Sequence, residues 1–156
     1  MGKNFSGLSA MNQGIAFLKQ EQYQNAINEL NTAVAFLSLS GGKYNQEYAR
    51  ANVKLGNAYY VAGKYGSALE AYAKAESYYK DSLGNTHPDY LYLQLSIGDV
   101  YYAEGRYEGA LAVYAKAVSG LKVLGIRNDV YSRLLTNIGN VYFAQSKYQQ
   151  ALECYE

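Results

Sequence analysis

The chain has 156 residues, about half of them apolar, a formal charge of +1, a single cysteine and a single histidine. A balance so close to neutral argues against a nucleic-acid or anionic-membrane binder that works by bulk charge. Cys154 alone excludes an intrachain disulfide framework, and His87 alone excludes a multi-histidine zinc site.

Gly7 to about Lys19 is predicted to be the first helix, after a loose leader of Met1 to Ser6. Its apolar residues Leu8, Met11, Ile15 and Leu18 follow helical spacing. Gln20 to Gln22 form a polar turn. Tyr23 to about Leu37 is the partner helix, striped by Ala26, Ile27, Leu30, Ala33, Val34 and Leu37. Ser38 to Lys43, with Gly41 and Gly42, connects to a second unit that begins near Tyr44. Its helices run to about Ala62 and from Tyr65 to about Asp81, with Gly63 and Lys64 as the turn. Thr86-His87-Pro88 starts the next helix. Proline suits the first helical position because its missing N–H would find no partner there, and Asp89 complements the positive end of the helix dipole. The third unit spans about Pro88 to Glu104 and Tyr107 to Val123. Asn128 is the expected N-cap of Asp129 to Gln145, and Tyr148 opens the last helix. Period-two alternation is absent, so no strand is expected.

The same stretch recurs through this order. LGNAYYVAGKYGSALEAYAKA (Leu55 to Ala75) returns as IGDVYYAEGRYEGALAVYAKA (Ile97 to Ala117) and as IGNVYFAQSKYQQALECYE (Ile138 to Glu156). A weaker copy begins at Gln13. The glycines Gly14, Gly56, Gly98 and Gly139 lie 42, 42 and 41 residues apart, a period that signals stacked repeats. Most of the 19 tyrosines fall in register: Tyr59, Tyr101 and Tyr142; Tyr23, Tyr65, Tyr107 and Tyr148; Tyr72, Tyr114 and Tyr155; Tyr48, Tyr90 and Tyr131. Such recurrence points to packing, because each unit solves the same packing problem. The expected contact within a pair sets Gly56, Gly98 and Gly139 against the small residues Ala68, Ala110 and Ala151, with tyrosines filling the wider space beside them.

These residues resemble the tetratricopeptide repeat family. Leu55, Gly56, Tyr59, Ala68, Tyr72 and Ala75 carry the pattern, as do Ile97, Gly98, Tyr101, Ala110, Tyr114 and Ala117, then Ile138, Gly139, Tyr142, Ala151 and Tyr155. In the first copy Gln13 departs from it, while Gly14, Phe17, Ala26, Leu30 and Ala33 hold. The family's usual period is 34 residues, so the longer period here lengthens each helix by about a turn. That variant is similar to the repeats of kinesin light chains, and Ser82 to Tyr90 resembles their linker. The resemblance implies an all-α fold, a right-handed α-solenoid of antiparallel helix pairs with about three and a half repeats. One repeat domain over 1–156 is expected, with units of about 7–43, 44–87, 88–127 and a truncated 128–156.

In such a stack the first helix of each pair lines the binding side. The residues opposite its core stripe are Arg50, Lys54 and Asn57, then Tyr92, Ser96 and Asp99, then Arg133, Asn137 and Asn140, flanked by Tyr60, Tyr102 and Phe143. Asparagine offers a donor and an acceptor to a peptide backbone. Aromatic rings give rigid contact area, and Arg50, Lys54 and Arg133 suit acidic groups. Asn57, Arg133 and Asn137 resemble part of the family's carboxylate clamp, from which Val53 and Ser96 depart. His87 reads as a linker or cap residue and Cys154 as an incidental thiol.

The expected function is a non-enzymatic interaction module, a scaffold or adaptor, binding a peptide segment of a partner protein. No cofactor, metal, nucleic acid or membrane partner is implied. The alternative is a self-associating scaffold that forms homo-oligomers through the terminal helix, where Leu152 and Tyr155 are expected to be exposed. No apolar run approaches a membrane span, and MGKNFSGLSA lacks the apolar core of a signal peptide. A cytoplasmic location is therefore expected.

Overall fold

The computed structural model describes residues 2–41 and 45–156. Its described residues form eight helices and no strand: α1 (Gly2–Lys19), α2 (Tyr23–Ser38), α3 (Gln46–Val61), α4 (Tyr65–Ser82), α5 (Pro88–Ala103), α6 (Tyr107–Val123), α7 (Asp129–Ala144) and α8 (Tyr148–Tyr155). The boundaries fall where the sequence placed them, with one exception. The chain is already helical at Gly2, so the expected loose leader is mostly the first turns of α1. The expected unit start at Tyr44 lies outside the described residues.

The chain divides into two compact units, Met1–Gly84 and Asn85–Glu156. In the first, α1 pairs with α2 and α3 with α4, while α3 also packs on α2 and α1. In the second, α5 pairs with α6 and α7 with α8, while α7 packs on α6 and α5.

Side chains at the helix starts capture backbone N–H groups that lack intrahelical partners. Asn45 accepts from the Glu47 amide at 2.8 Å, and His87 Nδ1 accepts from the Asp89 amide at 3.1 Å. Asn128 accepts from the Tyr131 amide at 3.2 Å. His87 is thus the cap its sequence context suggested, with Pro88 in the first turn.

The tight turn within each pair is one device used four times. Its central residue has positive φ: Glu21 (58°), Gly63 (74°), Gly105 (74°) and Ser146 (60°). The amide of the next residue, Gln22, Lys64, Arg106 or Lys147, then reaches back to Phe17, Tyr59, Tyr101 or Tyr142, at 2.8–2.9 Å. This is the Schellman closure, which satisfies carbonyls that the helix end leaves open. Glycine adopts that conformation freely, whereas Glu21 and Ser146 hold it against a steric penalty of about 1–2 kcal/mol.

The core of each pair corrects the expected glycine–alanine contact. A Cβ built on Gly56 would lie 2.5 Å from Tyr72 Cδ1, and one on Gly98 would lie 2.6 Å from Tyr114 Cδ1. On Gly139 it would lie 2.5 Å from Tyr155 Cε1. The nearest neighbour of each glycine is therefore the ring one turn beyond the alanine. Ala68, Ala110 and Ala151 are buried, but the missing side chain makes room for a tyrosine. In the first pair the same space is filled by Leu30 against Gly14.

Candidate functional site

The rings seated on the glycines carry hydroxyls, and a buried hydroxyl needs a partner. Each finds it on the residue that follows its glycine. Tyr72 donates to Asn57 Oδ1 at 2.7 Å, Tyr114 to Asp99 Oδ1 at 2.5 Å and Tyr155 to Asn140 Oδ1 at 2.7 Å. The in-register Asn, Asp and Asn of the candidate face thus lock the helix pairs with one oxygen. All three residues are half-buried.

In the first unit, α3 carries Arg50, Lys54, Asn57 and Tyr60. Arg50 is exposed and held by Glu47 one turn back, at 2.9 and 3.1 Å. Lys54 and Asn57 are half-buried, and Lys54 has no ion-pair partner among the described residues. Tyr60 packs its ring 5.9 Å from that of Tyr65, at the start of the partner helix. The same aromatic pair recurs as Tyr102–Tyr107 and as Phe143–Tyr148.

The second unit brings more of the candidate residues together. Asp99 on α5 meets Asn137 on α7, whose Nδ2 donates to Asp99 Oδ1 at 2.8 Å. Arg133 Nη2 stands 4.0 Å from Asp99 Oδ2. Burial holds the Asp99 carboxyl above its ordinary pKa, outweighing the lowering effects of Tyr114, Arg133 and Asn137. The hydroxyl of Tyr92 accepts from Asn128 Nδ2 at 2.9 Å, tying the face of α5 to the cap of α7. Ser96 is half-buried on α5. Tyr102 and Phe143 stay 39% and 60% exposed, leaving aromatic surface open beside the polar groups. Asn140 is occupied by Tyr155, on the same pattern as Asn57.

Sequence reasoning missed three features. The Asx–tyrosine bonds join residues fifteen apart, a separation that becomes meaningful only once the turn is known to reverse the helix. Asn52 is fully buried, with its Nδ2 donating to the Tyr48 carbonyl at 2.9 Å. Gln94, one period later, is likewise buried, so the recurrence of a side-chain amide at that register was the available signal. Finally, clefts open between successive second helices, floored by a first helix. In the first unit one of about 130 Å³ is lined by Asn31, Asn52, Tyr59, Ser67, Glu70 and Lys74. In the second, one of about 510 Å³ takes Ala115, Leu135, Ile138, Tyr142, Gln150 and Cys154 at matching registers. Burial, then Glu153, raises the pKa of the Cys154 thiol, so it is a poor nucleophile. Among the described residues no group of His, Cys, Asp or Glu could hold a metal ion. None of the described helices is long and apolar enough to cross a membrane.

The family model for the tetratricopeptide repeat matches residues 7–81, 47–122 and 89–156. The chain belongs to the tetratricopeptide repeat family. Solved structures share the fold. BtubC (BKLC) from P. vanneervenii superposes with a TM-score of 0.82 at 16% identity, over 90% of this chain and 57% of that one. A putative kinesin light chain from Podosopora anserina, with nearly identical TPR-like repeats, gives 0.81 at 20% identity over 94% of this chain and 70% of that one. The Rap conjugation gene regulator of plasmid pLS20, solved in complex with the Phr* peptide, gives 0.80 at 22% identity over 93% of this chain and 39% of that one. This repeat chain therefore spans a little over half the length of BtubC and less of the Rap regulator. No curated protein matches the sequence.

Proposed function

We propose that this chain is a protein-interaction scaffold that binds a peptide segment of a partner along the exposed faces of its first helices, with residues 1–156 acting as one repeat domain. The observation that carries the reading is the setting of Asn57, Asp99 and Asn140. One oxygen of each locks a helix pair on a half-buried side chain, beside Lys54 in the first unit and beside Tyr102, Arg133 and Phe143 in the second. The family supports it, because tetratricopeptide repeats are characteristically non-enzymatic interaction modules, and so does the Rap regulator bound to a peptide. The exposed rings supply contact area at small entropic cost, and the polar atoms between them pair with a peptide backbone. Binding in water, away from membranes and nucleic acid, is the setting in which we expect it to work.

The test is binding of a diverse peptide library to the wild type and to a variant with Lys54, Tyr102, Arg133 and Phe143 all changed to Ala. These four make none of the Asx–tyrosine locks, so the variant is expected to keep its helices, which circular dichroism checks, and to lose most peptide affinity. Undiminished binding by the variant would refute the assignment.

One observation favours a second reading, self-association through α8. Tyr155 is 47% exposed, whereas Tyr72 and Tyr114 at the same register are each 1% exposed, and Leu152 is 50% exposed beside it. An uncovered apolar face of this kind suits contact with another helix. Light scattering over a concentration series separates the readings: growth in mass with concentration that Leu152→Lys abolishes supports association, and constant monomer mass excludes it.

A further inference from the structure

We propose that Asp99 is the position at which this chain selects a basic side chain, Lys or Arg, in the segment it binds. The inference rests on the first-helix faces being the peptide site. It starts from a comparison inside the molecule. At three equivalent positions an Asx oxygen accepts from a tyrosine hydroxyl fifteen residues on, and at two of them an amide does so. Locking the tyrosine therefore does not require a carboxylate. What the carboxylate changes is the second atom. On Asn57 and Asn140 that atom is a donor nitrogen, whereas on Asp99 it is an acceptor oxygen that shares a negative charge.

That oxygen is underused. Oδ1 accepts twice, from Tyr114 on α6 and from Asn137 on α7. Oδ2 makes no hydrogen bond among the described residues. Its one ion-pair partner among the described residues, Arg133 on α7, stands 4.0 Å away on a side chain that is 63% exposed, while the Asp99 side chain is 21% exposed. So loose a pairing with an exposed partner neutralises little. The raised pKa agrees, since burial outweighs Tyr114, Arg133 and Asn137 together. Burial has thus already cost this carboxylate part of its hydration, while one of its oxygens has no hydrogen-bond donor among the described residues. A ligand ammonium or guanidinium that comes closer than Arg133 gains a charge-assisted bond. Tyr102, one turn further along α5 and 39% exposed, offers its ring to the aliphatic stem of that side chain.

The test uses short, capped, degenerate peptide pools that differ only in a central Lys, Arg, norleucine or Glu. The wild type is expected to hold the Lys and Arg pools about tenfold more tightly than the norleucine pool, as one charge-assisted bond warrants. Asp99→Asn keeps an acceptor for Tyr114, as Asn57 and Asn140 do naturally. It is expected to erase the preference, so that the Lys, Arg and norleucine pools bind it alike. Equal binding of Lys and norleucine pools to the wild type, or a preference that survives Asp99→Asn, overturns the proposal. A second measurement needs neither the variant nor a peptide. The Asp99 carboxyl carbon is followed by NMR through a pH titration, with and without n-butylammonium and methylguanidinium. Either cation is expected to shift the resonance and lower its titration midpoint, and a silent carboxyl overturns the assignment. Failure of every pool to bind would instead count against the first-helix faces as the peptide site.

Discussion

Asn57 in the first unit and Asp99 in the second do the same structural work in different electrostatic settings. Each follows a glycine on a first helix, and each accepts from the tyrosine ring that fills the space above that glycine. Asn57 does so as a neutral amide. Asp99 does so as a carboxylate held above its ordinary pKa by burial, with Asn137 as a further donor. The difference teaches that the repeat pattern fixes an acceptor at this register but leaves its charge open. Packing is thus the part the copies share, and the charge at this register is the part in which they differ.

The comparison breaks most visibly at the rings. Tyr114→Ala removes a side chain 1% exposed and takes from Asp99 one of its two donors. Its expected loss is about 3–5 kcal/mol of unfolding free energy, the range for buried aromatics. Tyr155→Ala, at the same register but 47% exposed, is expected to lose far less. Equal losses in denaturant titrations would show that burial is not what separates them.

The glycines come next. Gly98→Ala sets a methyl against the Tyr114 ring, where a Cβ meets ring atoms at 2.6 and 2.8 Å. It is expected to destabilise by about 1–3 kcal/mol through overpacking. Gly66→Ala on α4 is the control, because nothing lies within 4 Å of a Cβ there. It is expected to stabilise by about 0.5–1 kcal/mol, as helical Gly→Ala changes do. The sign of each change in a thermal melt checks the pair.

Smaller again are the turns. Ser146→Gly places at φ 60° the residue type that Gly63 and Gly105 already supply. A gain of about 1 kcal/mol is expected, the relieved left-handed strain less the added freedom of the unfolded chain. The melting temperature should rise, and a fall would show that the Ser146 side chain is needed there.

These contrasts also show what the sequence made legible. Helix order, turn positions and the caps at His87 and Asn128 follow from local chemistry, and local chemistry is written in consecutive residues. The small size of Gly56 and Gly98 was legible too, but its beneficiary was not. Ala68 and Ala110 look like natural partners because they are small, yet Tyr72 and Tyr114 occupy the space. Which side chain reaches back across a helix pair depends on the angle and offset of the two helices, and residue spacing does not encode these. For the same reason, the recurrence of Asn57, Asp99 and Asn140 pointed to the face without revealing that one oxygen of each is already engaged. The α1 start at Gly2 was missed because residues 2–6 carry no periodic apolar signal.

The smallest effect is the pH dependence of stability. The folded pKa of Asp99 is raised, so its proton binds the native chain more tightly than the unfolded chain. The resulting stabilisation is fully present below the unfolded carboxylate pKa, and it is lost as pH rises through the higher folded value. Asp99→Asn keeps the tyrosine acceptor and removes that titration. Its unfolding free energy should vary less with pH across the carboxylate range and at neutrality should equal or exceed that of the wild type. A variant markedly less stable at neutrality would show that the charge itself holds α5, α6 and α7 together.

The most direct test of the account is where a bound peptide registers on the isotope-labelled protein. NMR titration with the tightest peptide from a diverse library should move resonances of Lys54 and Tyr60 on α3, Tyr102 on α5, and Arg133 and Phe143 on α7. Shifts confined to the clefts between second helices, at Ser67 and Lys74 or at Gln150 and Cys154, would contradict it.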